Sequence, residues 1–340
     1  MLDRFLMALT AASTVGDDGG GGGGGGGGNR QGLVAIAGCA AMAVLYVGSL
    51  YVPSVVLRLP PPRSINAHYL RRFLWSIVAS ALAAVACLSL LPVKGHQSLN
   101  LNYLLSVFGL CTNHLWQATI YPLLLTALLY LGPLVMAAFD CFTQCAQPYS
   151  EAEASGWSVN SLANLVENIN TLVSNILAWR NYVVAPLTEE WVFRACMAPV
   201  LLCGGFNPLS VVFLCPLFFS LAHIHRYWEL VHQEKHDKLT AAVIVGIQLC
   251  YTTVFGWYAT FLFLRTGHLV APLVAHVFCN VMGLPALGQA FTAPYVVPLS
   301  FIAGLGGFVF LLGPASSPTL YMANSSSAAC SCWLGYCKWN

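Results

Sequence analysis

Hydrophobic positions in this chain come in long unbroken runs, not in alternation. Gln31–Leu57, Phe73–Val93, Gly95–Phe139, Ala195–His225, Leu239–Leu264 and Thr266–Cys337 contain no Asp, Glu, Lys or Arg. A helix of about 20 apolar residues crosses a bilayer, and several of these runs exceed that length. A membrane barrel would show apolar and polar residues in alternation, which these runs do not. The pattern predicts an all-α, polytopic integral membrane protein, with about seven to eight transmembrane helices around an intramembrane cavity.

The expected spans follow from the runs and their breaks. The first is Leu33–Leu57, and the second is Phe73–Leu91. Between them, Arg58 to Arg72 form a proline-rich basic loop, which reads as cytosolic because short cationic loops stay on that side. Tyr121–Ala138 is a third span, preceded by a tilted or re-entrant segment with a break at Asn113-His114. Asp140 to Val159 reads as an acidic loop. Ser161–Trp179 has helical periodicity with a face of Asn and Glu, as in an interfacial or cavity-lining helix. After the helix carrying Glu189 comes a turn at Gly204-Gly205. Leu209–His223, Ala241–Leu264, Leu269–Leu287 and Val296–Leu312 are the remaining spans, with a polar loop from Arg226 to Lys238. Residues 1–31, which contain the run Gly19–Gly28, read as a disordered tail. Residues 32–314 form the membrane domain and 315–340 a C-terminal tail. No internal repeat is present, which gives an inverted-repeat transporter no support.

Composition sharpens the chemistry. Of 340 residues, 58% are hydrophobic and only 8% are charged, and the net charge is +2. Nothing here suits a nucleic-acid partner. An ionisable side chain at membrane depth costs at least ~2.5–3.5 kcal/mol, so one that persists there is a functional candidate. Glu189-Glu190-Trp191-Val192-Phe193-Arg194 places three such groups together. Glu190 and Arg194 stand at i,i+4 and share a helix face, while Glu189 is turned about 100° away. That division suits one structural and one working carboxylate. The plainer reading is an ion pair that only locks two helices.

Two further elements follow in apolar sequence. Phe219 to His223, with His225 beyond, ends one span. His276 and Asn280 stand at i,i+4 on another. A single membrane histidine is usually a packing residue, and a His/Asn pair often only bridges helices. A carboxylate pair, a histidine and a His/Asn pair on three successive helices together supply a base, a second group to position water, and donors for an oxyanion. No serine sits in a G-x-S-x-G elbow. These residues point to water-mediated acyl hydrolysis inside the membrane. Zinc held by the histidines and a glutamate is the alternative chemistry, although no H-E-x-x-H occurs and asparagine is a poor ligand. A non-catalytic membrane scaffold or immunity-type relative is the other alternative.

The three motifs, E-E-x-x-x-R at Glu189, Glu190 and Arg194, F-x-x-x-H at Phe219 and His223, and H-x-x-x-N at His276 and Asn280, resemble the type II CAAX prenyl endopeptidases of the glutamate intramembrane protease group. The likeness is strong over residues 181–285 and weaker at Tyr46–Tyr51. It implies an endoplasmic reticulum, multi-pass hydrolase that removes the C-terminal tripeptide from farnesylated or geranylgeranylated CaaX proteins, such as Ras-type small GTPases. It implies that Glu189 and His223 activate water and that His276 and Asn280 form an oxyanion hole. Glu190 and Arg194 would support the site, and His225 matches the pattern without an assigned role. The group's chemistry implies no metal and no cofactor, with membrane lipid as the surrounding partner.

Overall fold

The computed structural model describes residues 27–51, 56–58, 60, 62–91, 105–145, 174–284 and 294–321. Among these the secondary structure is helical, without strands. Helix α1 is Gly27–Ser49, α2 is Ile65–Leu90, α3 is Leu115–Leu129 and α4 is Leu131–Cys145. A long helix, α5, occupies residues 176–203. Pro208–Leu221 forms α6, which passes through a 3-10 turn at Ala222–Ile224 into α7, His225–His232. The last three helices are α8 (Lys238–Thr266), α9 (Val270–Met282) and α10 (Val296–Ala315).

Among the described residues, five stretches are long and apolar enough to cross a membrane, and the bent pair α3–α4 makes a sixth. The seven or eight spans expected from the runs are reached only by adding α5 and α9. The first carries four charged residues and the second has 13 residues. These are the helices that hold Glu189 and His276.

Several boundaries differ from the sequence reading, each for a local reason. Helix α1 stops at Ser49 rather than Leu57, ahead of Pro53, whose ring disfavours helix in the preceding residue. Helix α2 begins at Ile65, because Ser64 caps it: its Oγ accepts the Ala67 N–H at 3.1 Å. Arg71 and Arg72 are therefore helical, not part of a loop. The expected span Tyr121–Ala138 is broken in its middle, where α3 and α4 meet at 72°. Pro133 explains the break, since it cannot donate to the Leu129 carbonyl and its ring crowds that oxygen. Asp140 is helical, not the start of a loop. The polar stretch from Arg226 likewise begins as helix, through His232. Helix α9 ends at Met282, short of Leu287, with Gly283 at φ +67°. Cys111 is disulfide-bonded. The polar-faced helix expected over Ser161–Trp179 and the tails at 1–31 and 315–340 lie largely outside the described residues. Of the C-terminal tail, Ser316 and Tyr321 are described and buried.

Helix α5 is the centre of the assembly and packs against α1, α2, α6 and α9. Its residues from Val192 to Leu201 are almost wholly buried. Apart from Arg194 this segment is apolar on all sides, because neighbours surround it. Two stretches of α5, Arg180–Val184 and Trp191–Cys196, are wound wider, as π-helix. Each contains the carbonyl four residues before a proline, at Pro186 and Pro199, where a regular helical bond cannot form. Glu189 and Glu190 lie between the two wide stretches.

Candidate active site

Glu190 and Arg194 meet in the interior, both fully buried, with Arg194 Nη1 2.9 Å from Glu190 Oε1. The guanidinium lies 4.5 Å over the Phe219 ring and 5.7 Å from that of Phe255. A buried charge is tolerable only when so matched. Glu190 Oε2 and Arg194 Nε and Nη2 make no further hydrogen bond among the described residues. Aromatic faces contact this part of the guanidinium instead.

His276, from α9, reaches both glutamates. Its Nδ1 donates to Glu190 Oε1 at 2.6 Å, and its Nε2 lies 3.7 Å from Glu189 Oε2. A carboxylate accepts only, so Glu190 fixes the proton on Nδ1 and aims Nε2 at Glu189. The ring packs against Phe255, with centroids 4.9 Å apart.

Glu189 differs from Glu190 in its surroundings. Its side chain is 18% exposed and opens into a cavity of about 450 Å³ that His223 and His225 also line. His223 sits in the 3-10 turn after α6. Its Nδ1–H donates to the Phe219 carbonyl at 2.9 Å, which leaves Nε2 as a free acceptor. His225 Nδ1 donates to the Ala222 carbonyl at 2.6 Å, and its ring meets Tyr51 edge-on. The stretch from Phe219 to His225 thus places His223 on the cavity that Glu189 opens into and His225 against Tyr51, just beyond α1.

Asn280 occupies the exposed end of the same face of α9. One of its amide N–H groups donates to the Asn181 carbonyl at 2.8 Å, tying α9 to the first wide stretch of α5. A primary amide carries two donors, so one remains. Six of the residues singled out from sequence therefore converge around the two glutamates or their cavity, while Asn280 lies at the α9–α5 seam.

The cavity also holds residues to which the sequence reading gave no place in the site. Tyr46 bonds Thr188 at 2.8 Å, beside Glu189. Glu229 takes the Tyr51 hydroxyl and Arg72 Nη2, the latter at 3.0 Å, on Oε1, and Arg226 Nη1 at 3.2 Å on Oε2. Burial and the Glu229 carboxylate hold the Tyr51 phenol protonated well above the usual tyrosine range. Arg180 lines the cavity, with its guanidinium 5.6 Å over Tyr69. Its only sequence signal was a charge nine residues ahead of Glu189 in apolar surroundings. Among the described residues, no three His, Cys, Asp or Glu side chains are grouped to hold a metal ion.

Residues 171–282, which contain every one of these motifs, match the family model for type II CAAX prenyl endopeptidase, Rce1-like. The chain is 44% identical over 307 residues to CAAX prenyl protease 2 of Arabidopsis thaliana, covering 90% of this chain and 96% of that protein. It is 38% identical over 291 residues to CAAX prenyl protease 2 of Homo sapiens, covering 85% and 83%. The similarity to CAAX prenyl protease 2 of Caenorhabditis elegans is shorter, 33% over 179 residues, covering 52% of this chain and 59% of that protein. No solved structure matches the chain. Similarity that extends over 96% and 83% of the first two of these relatives, and over the motif helices in order, places this multi-pass membrane protein in the type II CAAX prenyl endopeptidase family.

Proposed function

We propose that this protein is an intramembrane endopeptidase that removes the last three residues from prenylated CaaX proteins, cutting after the prenylated cysteine. The observation that carries the reading is the unequal treatment of the two glutamates. Glu190 is sealed against Arg194 and His276, whereas Glu189 faces a cavity beside a histidine whose Nε2 is free. A base must reach a water molecule, and Glu189 can do so where Glu190 cannot.

In this mechanism Glu189 and His223 hold the water. Glu189 takes its proton as the oxygen adds to the scissile carbonyl. His276 Nε2–H and the second N–H of Asn280 receive the oxyanion. That role makes His276 an imidazolium, so that two carboxylates face one imidazolium and one guanidinium and the four charges cancel. Glu189 then returns the proton to the leaving amine, and the tripeptide departs. Glu190 and Arg194 hold His276 in place. His225 shapes the cavity wall against Tyr51.

The apolar helices around the cavity support a lipid-bearing substrate. A prenyl chain partitions among them at about 0.8 kcal/mol per buried CH₂. Arg72 lines the cavity and belongs to the same short basic segment as Arg58, Arg63 and Arg71, which suits a cytosolic mouth. The substrates are prenylated small GTPases of the Ras type, and the membrane is that of the endoplasmic reticulum.

The test is tripeptide release from matched peptides with and without a farnesyl group, in the presence of EDTA or phenanthroline. Cleavage confined to the farnesylated peptide and indifferent to chelator is expected. Equal cleavage of the bare peptide would overturn the prenyl-protein reading. Inhibition restored by added zinc would replace the glutamate mechanism with a metal one.

A further inference from the structure

The cavity wall is charged in an uneven way. Arg72 is bonded to Glu229, and Arg226 is bonded to both Glu229 and Glu234, at 3.2 and 2.7 Å. These two arginines and two glutamates neutralise one another. Arg180 lines the same cavity and has no acidic partner among the described residues. Its contact is the Tyr69 ring, which fixes the direction of a guanidinium without cancelling its charge.

Arg180 also stands at a telling distance from Glu189. Arg180, Val184 and Thr188 follow at four-residue intervals down one stripe of α5, with Glu189 beside Thr188, and all four line the cavity. Nine residues of helix rise roughly 13 Å. An extended tripeptide spans about 10–11 Å, and the arginine side chain covers the remainder. A planar guanidinium binds a carboxylate through two parallel hydrogen bonds.

We propose that Arg180 receives the free α-carboxylate of the substrate's last residue and thereby sets the cut three residues from the end. The inference rests on the prenyl-endopeptidase reading and adds a second anchor to it. The lipid fixes one side of the scissile bond, and Arg180 fixes the far end of the leaving tripeptide. Arg180 is a positioning residue and touches no reacting atom. One residue more would push the carboxylate past the guanidinium.

The test compares farnesylated peptides of one sequence that end in a free acid or in a primary amide, with the full-length protein in lipid nanodiscs. A hydrogen bond to a charged group contributes about 1.5–3 kcal/mol, so wild type should favour the acid by about 10- to 100-fold in kcat/KM. In Arg180→Gln that ratio should fall to near one, with the loss falling on KM more than kcat. Arg180→Lys keeps the charge but not the fork, and its ratio should lie several-fold below wild type. An acid peptide lengthened by one residue should be cut poorly by wild type. Equal cleavage of acid and amide by wild type would overturn the proposal while leaving the endopeptidase reading intact. So would a wild-type ratio in Arg180→Gln or, if that variant fails to accumulate, in Arg180→Lys. Failure of wild type to cut any farnesylated peptide would instead sink the function itself.

Discussion

His276 Nδ1 lies 2.6 Å from Oε1 of Glu190, although 86 residues separate the two in the chain. The same Glu190 oxygen accepts from Arg194, so one buried carboxylate oxygen holds both α9 and its own helix. This leaves Glu189 as the glutamate with access to the cavity.

Exchange of each glutamate for its amide should therefore have opposite effects. Glu189→Gln should lower kcat by about 100–10,000-fold, the worth of a general base, with thermal stability close to wild type. Glu190→Gln should lower stability, since it leaves the Arg194 charge buried and unmatched at a loss of roughly 3–5 kcal/mol. Turnover and melting temperature measured on both variants decide the matter. A stable, active Glu189→Gln beside a stable, inactive Glu190→Gln would reverse the two roles.

The source of that stability can be isolated through Arg194. Arg194→Ala should destabilise by about 3–5 kcal/mol, because Glu190 is then the uncompensated charge. Arg194→Lys keeps the charge but gives up the flat contact with Phe219 and Phe255, and should fall between the two. The double change Glu190→Gln with Arg194→Met should recover part of the loss without recovering turnover. Cys39, Cys87, Cys196 and Cys215 are buried while Cys250 is exposed, so labelling by a thiol-reactive fluorophore above the Cys250 background reports unfolding. A double variant no more stable than either single one would show that the ion pair is not what holds this region.

What was legible in the sequence was whatever follows a short-range helical rule. Glu190 with Arg194 and His276 with Asn280 are i,i+4 pairs, and their shared faces could be read without knowing the fold. The fold then divides the second pair: His276 turns inward and is 7% exposed, while Asn280 lies at the exposed seam. Long-range meetings left no such trace. Arg72 looked like one more cation in a basic loop because the Ser64 cap was not recognised, and its partner Glu229 lies 157 residues on. The wide stretches of α5 depend on Pro186 and Pro199, and the α3–α4 bend depends on Pro133. In each case an apolar run hid a backbone event that a proline was already announcing. Arg180 went unremarked for a different reason, since a cation near the end of a membrane helix is ordinarily a solvent anchor.

Close helix packing gives a prediction remote from the chemistry. A Cβ on Gly304 would lie 2.2 Å from the Leu128 carbonyl oxygen and 2.8 Å from Leu131 Cβ, at the α3–α4 bend. Gly304→Ala should cost about 1–3 kcal/mol by overpacking. Gly306 and Gly313 on the same helix meet nothing within 4 Å, so alanine there should be neutral or stabilising by up to about 1 kcal/mol. Melting temperatures of the three variants give the comparison. Equal behaviour of all three would mean that α10 does not seat against the bend as described.

Asn280 poses the sharpest question for the proposed mechanism, because one of its two N–H groups is already used on the Asn181 carbonyl. If the second N–H meets the oxyanion, it acts on charge that develops only in the transition state. Loss of one such donor lowers kcat by about 100–1,000-fold, or 2.7–4 kcal/mol. The bond to Asn181 is exposed, and its loss should take only about 0.5–1.5 kcal/mol from stability. Asn280→Ala should thus be folded and nearly inactive, with KM within a few-fold of wild type. Asn280→Asp should be no better, since a carboxylate offers no donor and repels the developing charge. Steady-state kinetics on a farnesylated peptide, with a melting curve on the same preparation, separates the two contributions. A drop confined to stability and KM would reduce Asn280 to a tether between α9 and α5, leaving His276 as the sole side-chain oxyanion donor in this mechanism.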